Sequence, residues 1–268
     1  MSILRALVAV DTSPEDPQLS FSELKRRAGV DDTGQFNYHL GELVGTLVVK
    51  TDDGYRLSKF ARRVLRPMTT GFYDPELSIE AVDIPGTCPR CNGALSVTLR
   101  ENVLQVVCEA DHVVNHGLVA SPGLVVEHQP DDAATALGLL TTHAVELATA
   151  GVCPKCHGHT EGAIEPHDTL DCHLFRAPCD TCGNRFMVPV GGCVITHPDV
   201  VSLYAGHGID IRRTVPWTHP FRQAGAEEVV SRDPFRAGLL VGGDLPGESL
   251  YVTVDRTATV QSIHRTPS

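Results

Sequence analysis

Hydrophobic positions near the start of the chain recur with the spacing of short amphipathic helices. Residues 3–10 are mostly apolar and suit a first helix. A second helix is predicted to begin at Ser20, because a serine followed three residues later by Glu23 forms a capping box. Leu19 and Leu24 flank this start as the two halves of a hydrophobic staple. The pattern therefore predicts two helices before residue 30.

The third predicted helix has two opposite faces, and Asp32 is its N-cap. Gly34, Tyr38 and Gly41 fall on the face that we expect to be exposed. A glycine within a helix costs about 1 kcal/mol relative to alanine, and close approach to another surface is one reason to keep it. Apolar residues at helical spacing form the face that we expect to be buried: Phe36, Leu40, Leu43 and Val44.

An extended segment follows the third helix. Residues 47–50 and 55–57 are predicted strands, and Asp53-Gly54 between them favours a hairpin turn. A fourth helix is predicted from residue 58 to residue 66, where Pro67 ends it. Three helices, a hairpin and a further helix predict a winged helix over residues 1–68, with the third helix placed to enter the major groove of DNA.

Two stretches carry a resemblance to a known family. They read LSFSELKRRAGVDDTGQFNYHLGELVG (19–45) and LVVKTDDGYRLSKFARRVL (47–65), and they resemble the winged helix of ArsR-like regulators from halophilic archaea. The similarity is most specific from Gly34 to Leu40, and residues 196–217 resemble the C-terminal part of the same family. The resemblance implies DNA binding, commonly as a homodimer. It does not imply metal sensing, since the third helix has no pair of Cys or His ligands.

Candidate DNA contacts follow from the position of each residue on this domain. Four side chains of the third helix would reach base edges or nearby phosphates: Thr33, Gln35, Asn37 and Tyr38. Basic side chains of the second helix and the wing would contact phosphates: Lys25, Arg26, Arg27, Lys50 and Arg56. Two alternatives stay open at this point. The bases could simply form a solvated helix face, and a winged helix can also dock on a protein.

The rest of the chain divides into shorter modules, so the predicted fold class is α+β. The domain boundaries that we expect are a linker (69–86), a first zinc-ribbon-like module (87–130), a connecting helix (131–150), a second zinc ribbon (151–195) and a C-terminal α+β region (196–268). Asp132 is the expected cap of the connecting helix. Its predicted inward face comprises Ala133, Ala136, Leu137, Leu140, Ala144 and Leu147.

The C-terminal region contains one helical pattern and four extended ones. Pro198 suits the first turn of a helix over residues 197–207. Gly-Gly-Asp and Asp-Arg-Thr turns separate the later predicted strands: 228–231, 237–241, 249–254 and 259–264.

Cysteine pairs provide the strongest chemical motif. Cys153 and Cys156 are followed, after 22 residues, by Cys179 and Cys182. Two Cys-x2-Cys pairs supply four thiolates, the ligand set that a structural zinc ion takes in a tetrahedral site. Since all four positions are filled by protein, we expect this zinc to be structural rather than catalytic.

A second, less regular group begins 65 residues earlier, at Cys88 and Cys91. Cys108 follows two predicted strands, but no further cysteine lies close behind it. His112 is the expected fourth ligand, in a site of three cysteines and one histidine, and Asp111 and His116 are weaker substitutes. A ribbon without metal, or a catalytic zinc with an open position, stay as alternatives.

A Cys-x2-Cys pair can also be a thioredoxin-like redox motif, which requires the pair at the start of a helix. Each pair here is followed within two residues by a glycine, Gly93, Gly158 or Gly183, which favours a turn. We therefore expect metal-binding knuckles. Cys172 and Cys193 are expected to be buried thiols and not ligands.

Charge changes this picture in one respect. The chain has 33 acidic and 22 basic residues, a net charge of −11, and only four of the bases are lysines. This composition is typical of a salt-adapted protein of the cytosol. Residues 20–66 hold nine bases and six acids, a local excess of +3, whereas residues 77–268 hold twelve bases and 22 acids. A locally basic segment on an acidic chain suits contact with nucleic acid.

These observations predict a cytoplasmic, homodimeric, DNA-binding transcriptional regulator with structural zinc and an unidentified effector. No long apolar run indicates a membrane span, and no secretory leader is recognisable. No phosphate-binding loop or placed nucleophile indicates an enzyme. A protein-docking scaffold of the transcription machinery and a thiol or zinc redox sensor are the alternatives.

Overall fold

Short amphipathic helices and one hairpin form the first of two units, Met1–Ser78 and Ile79–Ser268. A computed structural model of the chain describes residues 2–11, 17–69, 80–100, 103–115, 123–168 and 171–267. The elements of the first unit are α1 (Ser2–Val10), α2 (Phe21–Ala28), α3 (Thr33–Leu43), β1 (Val48–Lys50), β2 (Tyr55–Leu57) and α4 (Lys59–Thr69). This is the element order predicted for a winged helix.

The two strands pair as the hairpin pattern predicted. β1 and β2 are antiparallel, with Lys50 opposite Tyr55. Leu19 extends this small sheet, because its backbone N–H donates to Tyr55 O and its carbonyl accepts from Tyr55 N–H. Gly54 lies so close to Leu19 that a side chain at this position would collide with the Leu19 carbonyl. The turn residue is therefore fixed by packing as well as by local conformation.

The core of the first unit confirms most of the predicted helix faces. Leu24, Phe36 and Leu40 are buried between the helices and the hairpin. Val44 is an exception, since 36% of it is exposed. α3 ends at Leu43 and the backbone of Val44 is extended, so its side chain leaves the helical face on which it was predicted.

The predicted helix caps are present, with one difference. The Ser20 hydroxyl accepts a hydrogen bond from Glu23 N–H, and Asp32 Oδ1 accepts one from Gln35 N–H. The Glu23 carboxylate does not complete the capping box. It instead binds Arg26 and Arg27, which lie three and four residues further along the helix.

The last helix of the first unit is longer than predicted. The sequence pattern predicts that it ends before Pro67, because proline removes a backbone donor from a helix. α4 in fact runs to Thr69. Pro67 lacks the N–H group that would donate one backbone hydrogen bond, and the helix continues for two residues beyond it.

Two antiparallel sheets follow in the second unit, each carrying one of the cysteine groups. The first sheet has strand order β3 (Val82–Thr87), β4 (Ala94–Arg100), β5 (Val103–Cys108) and β6 (Val113–Asn115). The second comprises β7 (Ala163–Pro166), β8 (His173–Pro178) and β9 (Arg185–Pro189). Residues 82–86 were predicted to be linker, but they lie in β3, because Val82 and Ile84 pair with β4 and join its hydrophobic face.

The C-terminal strands agree with the sequence pattern. β10 (Glu227–Arg232), β11 (Phe235–Val241), β12 (Glu248–Asp255) and β13 (Val260–Pro267) form an antiparallel meander. α7 (Pro198–Gly206) begins with the predicted proline. Short 3-10 turns at residues 190–194, 211–213, 216–218 and 220–222 connect these elements.

The second ribbon and the C-terminal region share one core, although the sequence suggested separate modules. Phe175 of β8 and Tyr204 of α7 are completely buried together with Val252 of β12. Backbone pairing links the same parts, since Ile164 N–H donates to Arg256 O over 2.7 Å. The described residues between 151 and 267 therefore fold around a common interior.

One helix connects this core to that of the first ribbon. α5 (Gly123–Val126) is a single turn, and α6 (Pro130–Thr149) follows it. Ala134 and Leu137 pack with the first ribbon, whereas Ala144 and Val145 pack with the second core. α6 therefore contributes its N-terminal half to one core and its C-terminal half to the other.

Two predictions for α6 were wrong in detail. Its N-cap is Gln129, with Pro130 in the first turn, so Asp132 lies inside the helix and does not cap it. Leu140 was placed on the buried face, but 40% of it is exposed. The buried stripe instead runs through Gly138 and Thr142, because α6 packs there against the backbone near Arg213.

The substitution Gly138→Ala tests this close approach. A Cβ atom at residue 138 would lie 2.6 Å from the Arg213 carbonyl oxygen, so the backbone must shift. We expect a loss of about 1–3 kcal/mol in the free energy of unfolding, as for other overpacked sites. Thermal or denaturant unfolding measures it.

The matched control is Gly206→Ala, at a helical glycine with no atom within 4 Å of the added Cβ. Alanine should leave this site unchanged or stabilise it by up to about 1 kcal/mol. Equal effects of the two substitutions would show that α6 does not depend on the contact with Arg213.

Candidate metal centres and nucleic-acid interface

The second cysteine group is brought together as its spacing predicted. Cys153, Cys156, Cys179 and Cys182 each offer a sulfur, and the four sulfurs lie within 4.8 Å of one another. The Sγ–Sγ distances are 3.7 Å from Cys153 to Cys182 and 3.6 Å from Cys156 to Cys179. A zinc–sulfur bond of about 2.3 Å implies sulfur–sulfur edges of about 3.8 Å in a tetrahedron. The group could therefore hold a metal ion such as zinc.

The first group has the composition expected for a mixed site. Cys88, Cys91, Cys108 and His112 also place their ligand atoms within 4.8 Å of one another. Cys91 Sγ lies 3.6 Å from Cys108 Sγ, and Cys88 Sγ lies 3.7 Å from His112 Nδ1. Of the weaker substitutes, Asp111 instead forms a 2.7 Å ion pair with Arg100. His116 lies outside the described residues.

Each Cys-x2-Cys pair sits in the same tight turn. Cys88 N–H donates to Gly93 O, Cys153 N–H to Gly158 O, and Cys179 N–H to Asn184 O, over 2.8–2.9 Å. The residue after each second cysteine has a positive φ: Asn92 at 60°, His157 at 62° and Gly183 at 71°. Sequence reasoning assigned the turn to glycines alone and missed the left-handed asparagine and histidine.

Glycine has a steric role at the following position. A Cβ atom on Gly158 would lie 3.3 Å from Cys156 Sγ and 3.1 Å from Thr181 Oγ1. The Gly158 N–H points toward the same sulfur, at 3.4 Å. Asn184, which sequence reasoning also missed, lies with its Nδ2 atom 3.8 Å from Cys153 Sγ. These groups support the thiols from outside the ligand set.

The fourth knuckle is one residue shorter than the other three. Cys108 N–H donates to the carbonyl oxygen of His112, and Asp111 N–H donates to Cys108 O. Asp111 takes the positive φ, 59°, immediately before His112. The shorter turn brings a histidine to the position that a second cysteine occupies elsewhere.

The turns also favour ionisation of cysteine to the thiolate, the form in which it binds metal. Burial raises the pKa of Cys153, but the backbone N–H groups of Cys156 and Lys155 outweigh it, and the pKa falls to about 6. The same balance of burial against backbone donors lowers the pKa of Cys88 to about 6. The pKa of the second cysteine of each of these pairs, Cys91 or Cys156, is instead raised, so the first cysteine of each pair ionises more readily than the second.

The helix start that a thioredoxin-like motif requires is not present at these pairs. Cys153 and Cys179 each open a turn between strands or before one. Cys172 and Cys193 belong to neither ligand group within the described part of the chain. Burial raises the pKa of both thiols, which disfavours the reactive thiolate.

The candidate DNA-contacting residues of α3 all lie on its exposed side. Thr33, Gln35, Asn37 and Tyr38 are exposed, and 67% of the tyrosine is accessible. The Tyr38 ring packs edge-on against His39, with centroids 5.5 Å apart. A large aromatic side chain in this position has no hydrophobic core to fill.

The candidate phosphate contacts have partners within the unit. Lys25 Nζ donates to Thr33 Oγ1 over 2.7 Å, and Arg56 Nη1 donates to Leu57 O. Arg26 and Arg27 share the Glu23 carboxylate, whose pKa the hydrogen bonds from these two residues lower to about 2. Exposed pairs of this kind contribute little stability, so a phosphate can replace the carboxylate. Lys50 is exposed on the wing.

Fold and site together define an α+β protein with two four-ligand Cys/His groups, each able to hold a metal ion. The chain belongs to the family described as domain of unknown function (DUF7351), whose model matches residues 85–260, more than half of the sequence. Residues 1–68 match the model of a second domain of unknown function, DUF7347. No curated protein and no solved structure matches the chain. In the described residues, no helix combines the length and the apolar character needed to cross a membrane.

Metal titration tests the two ligand sets separately. We expect the purified chain to bind two zinc ions, and Cys179→Ser to bind one. His112→Ala should weaken the first site because it removes one of its four ligands. Cobalt(II) distinguishes the sites, because its visible spectrum depends on the number of bound thiolates.

Asp111→Asn is the matched control, since it removes the carboxylate that pairs with Arg100 and keeps a residue type that tolerates the positive φ of this position. It should keep both metal ions and both cobalt spectra. Loss of metal from Asp111→Asn together with full retention by His112→Ala would contradict the assigned fourth ligand.

Proposed function

We propose that this protein is a sequence-specific, DNA-binding transcriptional regulator with zinc in a structural role. The first unit reads the major groove with α3 and contacts the backbone with α2 and the β1–β2 hairpin. The second unit is held by two zinc ions and provides a regulatory or assembly module. No catalytic role is assigned to any residue.

The exposed face of α3 is the observation that carries this proposal. Its N-terminal turn presents Thr33, Gln35 and Asn37, whose hydroxyl and amide groups can pair with base edges. Tyr38 adds a large exposed ring next to them. The opposite face of the same helix is buried through Phe36 and Leu40, so the polar face is fixed in orientation.

The charge distribution also supports DNA binding, although the local excess of positive charge is small. The local excess of +3 over residues 20–66 is modest against a chain of net charge −11. Phosphate contacts give affinity that falls steeply with salt, whereas hydrogen bonds to bases supply specificity. Recognition by this protein would therefore depend more on the polar groups of α3 than on general attraction to phosphate.

The chemistry of the ligands supports zinc as the metal and a structural role for it. A set of four cysteines, or of three cysteines and one histidine, is typical of structural zinc, since every coordination position is filled by protein. The mixed group has one imidazole, which zinc also accepts. Binding energy at such sites contributes directly to folding, so we expect each ion to stabilise its small sheet.

Assembly as a homodimer is part of the proposal. Phe60 and Val64 lie one helical turn apart on α4, and 65% and 43% of their surfaces are exposed. An exposed aromatic and aliphatic pair of this kind suits a protein contact. The same observation favours the alternative function, a docking scaffold that uses α4 to bind another protein of the transcription machinery.

Removal of two polar side chains from α3 tests the proposed reading helix. The double substitution Gln35→Ala and Tyr38→Ala should reduce affinity for the preferred site to the non-specific level, since each lost base contact costs about 1–3 kcal/mol. Both residues are exposed, so thermal stability should stay unchanged. Fluorescence anisotropy with a labelled duplex measures binding.

Lys59→Ala is the control, because Lys59 is exposed in the same unit but lies on α4. It should retain site preference. Unaltered affinity of the α3 double variant for its site would remove α3 from the interface.

Gly41→Ala tests whether α3 approaches DNA closely. No atom of the protein lies within 4 Å of a Cβ at this position. Alanine should therefore raise stability by up to about 1 kcal/mol through its helix propensity. If the helix face meets DNA closely here, the same methyl group should weaken binding.

Gly206→Ala again provides the comparison, as an open helical glycine in the other unit. It should leave DNA affinity unchanged. A stabilised Gly41→Ala variant with wild-type affinity would place Gly41 outside the contact surface.

A further inference from the structure

A large cleft lies in the second unit. None of the eight candidate metal ligands lines it. Its volume is about 750 Å³. The first sheet contributes Val113 and Val114 from β6, and the second sheet contributes Leu174 and Met187. The 3-10 segments after α7 supply a third wall with Trp217 and Arg222. The cleft is thus built by three separate parts of one unit.

Most of the walls are apolar. Met187 lines the cleft and has 51% of its surface exposed, although it lies on a strand of the second ribbon. Trp217 is 5% exposed, and its indole N–H donates to Pro85 O over 3.0 Å. Because this polar atom already has a partner, the tryptophan offers only its ring to the cleft.

Arg222 is a buried cation in the wall of the cleft. It is only 3% exposed, and its Nη1 atom donates to the carbonyl and hydroxyl oxygens of Thr214, at 3.1 Å and 3.2 Å. Its Nε atom is buried without a hydrogen-bond partner in the described part of the chain. No described carboxylate forms an ion pair with Arg222, and neutral oxygens do not compensate its charge.

Asp244, the carboxylate of the hydrogen-bond network next to Arg222, already has other partners. Asp244 accepts hydrogen bonds from Tyr204, over 2.9 Å, and contacts His219 Nδ1 at 2.8 Å. Burial lowers the pKa of Arg222 to about 10, which still leaves it charged at neutral pH. An uncompensated buried charge costs several kcal/mol, so a group of opposite charge placed against Arg222 would be stabilising.

We propose that this cleft binds a small organic acid, with its carboxylate on Arg222 and an aromatic or branched apolar body against Trp217, Met187 and the β6 valines. The planar guanidinium suits a carboxylate, and the volume suits a ligand of this size. Asp171 and Arg90 also line the cleft and add one charge of each sign. The site does not depend on DNA binding, but in a regulator its ligand would act as the effector.

The experiment uses the protein's own fluorophore. Trp217 is the only tryptophan of the chain and forms part of the cleft wall. Para-bromophenylacetate is the probe, because bromine quenches tryptophan emission at short range. Its neutral amide has the same body without the charge. We expect saturable quenching by the acid in the full-length, metal-loaded protein, with affinity about tenfold or more above that of the amide.

Variants assign the effect to Arg222. Arg222→Met should reduce affinity for the acid about tenfold or more and leave that for the amide unchanged. Arg212→Met is the matched control, since Arg212 is exposed, pairs with Asp210 and does not line the cleft. It should bind the acid as the wild type does.

A second variant keeps the test decisive if Arg222→Met does not fold. Ala224 is exposed and lines the cleft, so Ala224→Phe obstructs it from the outside and should abolish quenching. Equal affinity for acid and amide, or quenching that survives Ala224→Phe, would overturn the proposal. Competition by inorganic phosphate as strong as that by the aryl acid would also overturn it, because the apolar walls would then contribute nothing.

Discussion

The packing of α6 against two hydrophobic cores is the constraint on which the second unit depends. The helix lies on the first ribbon through Ala134 and Leu137, and on the second core through Ala144 and Val145. Between them, Gly138 lets the helix touch the backbone of residues 213 and 214. Both ligand groups and the cleft between the sheets therefore belong to one body.

Small sheets of three or four strands bury little apolar surface on their own. Each ribbon of this protein adds a four-ligand group at the end of its strands, and a metal ion would supply the missing stabilisation. The first unit is stabilised differently, since helices enclose its core of Leu24, Phe36 and Leu57. Its candidate functional residues lie on the surface, where α3 exposes polar groups and one tyrosine.

Sequence patterns correctly predicted the features that depend on residues close together in the chain. Ser20 and Asp32 cap their helices through neighbouring N–H groups, and the cysteine spacing predicted which ligands meet. Features that depend on distant contacts could not be predicted in this way. The helical spacing of apolar residues predicts that Leu140 is buried. It is exposed, because the buried face of α6 is the one that contacts residues 212–214. Among the described residues, Arg222 is buried without forming an ion pair with a carboxylate, and no neighbouring residue in the sequence indicates this.

The most direct measurement is selection of bound fragments from the organism's own genomic DNA by the purified, zinc-loaded protein. Concentrated potassium chloride suppresses non-specific attraction to phosphate, so only base-reading contacts should survive. A regulator that reads the major groove with α3 as a homodimer should enrich one short motif with two-fold symmetry. Recovery of fragments without a shared motif, by protein shown to be folded and zinc-bound, would contradict the proposed function and favour a protein-docking scaffold.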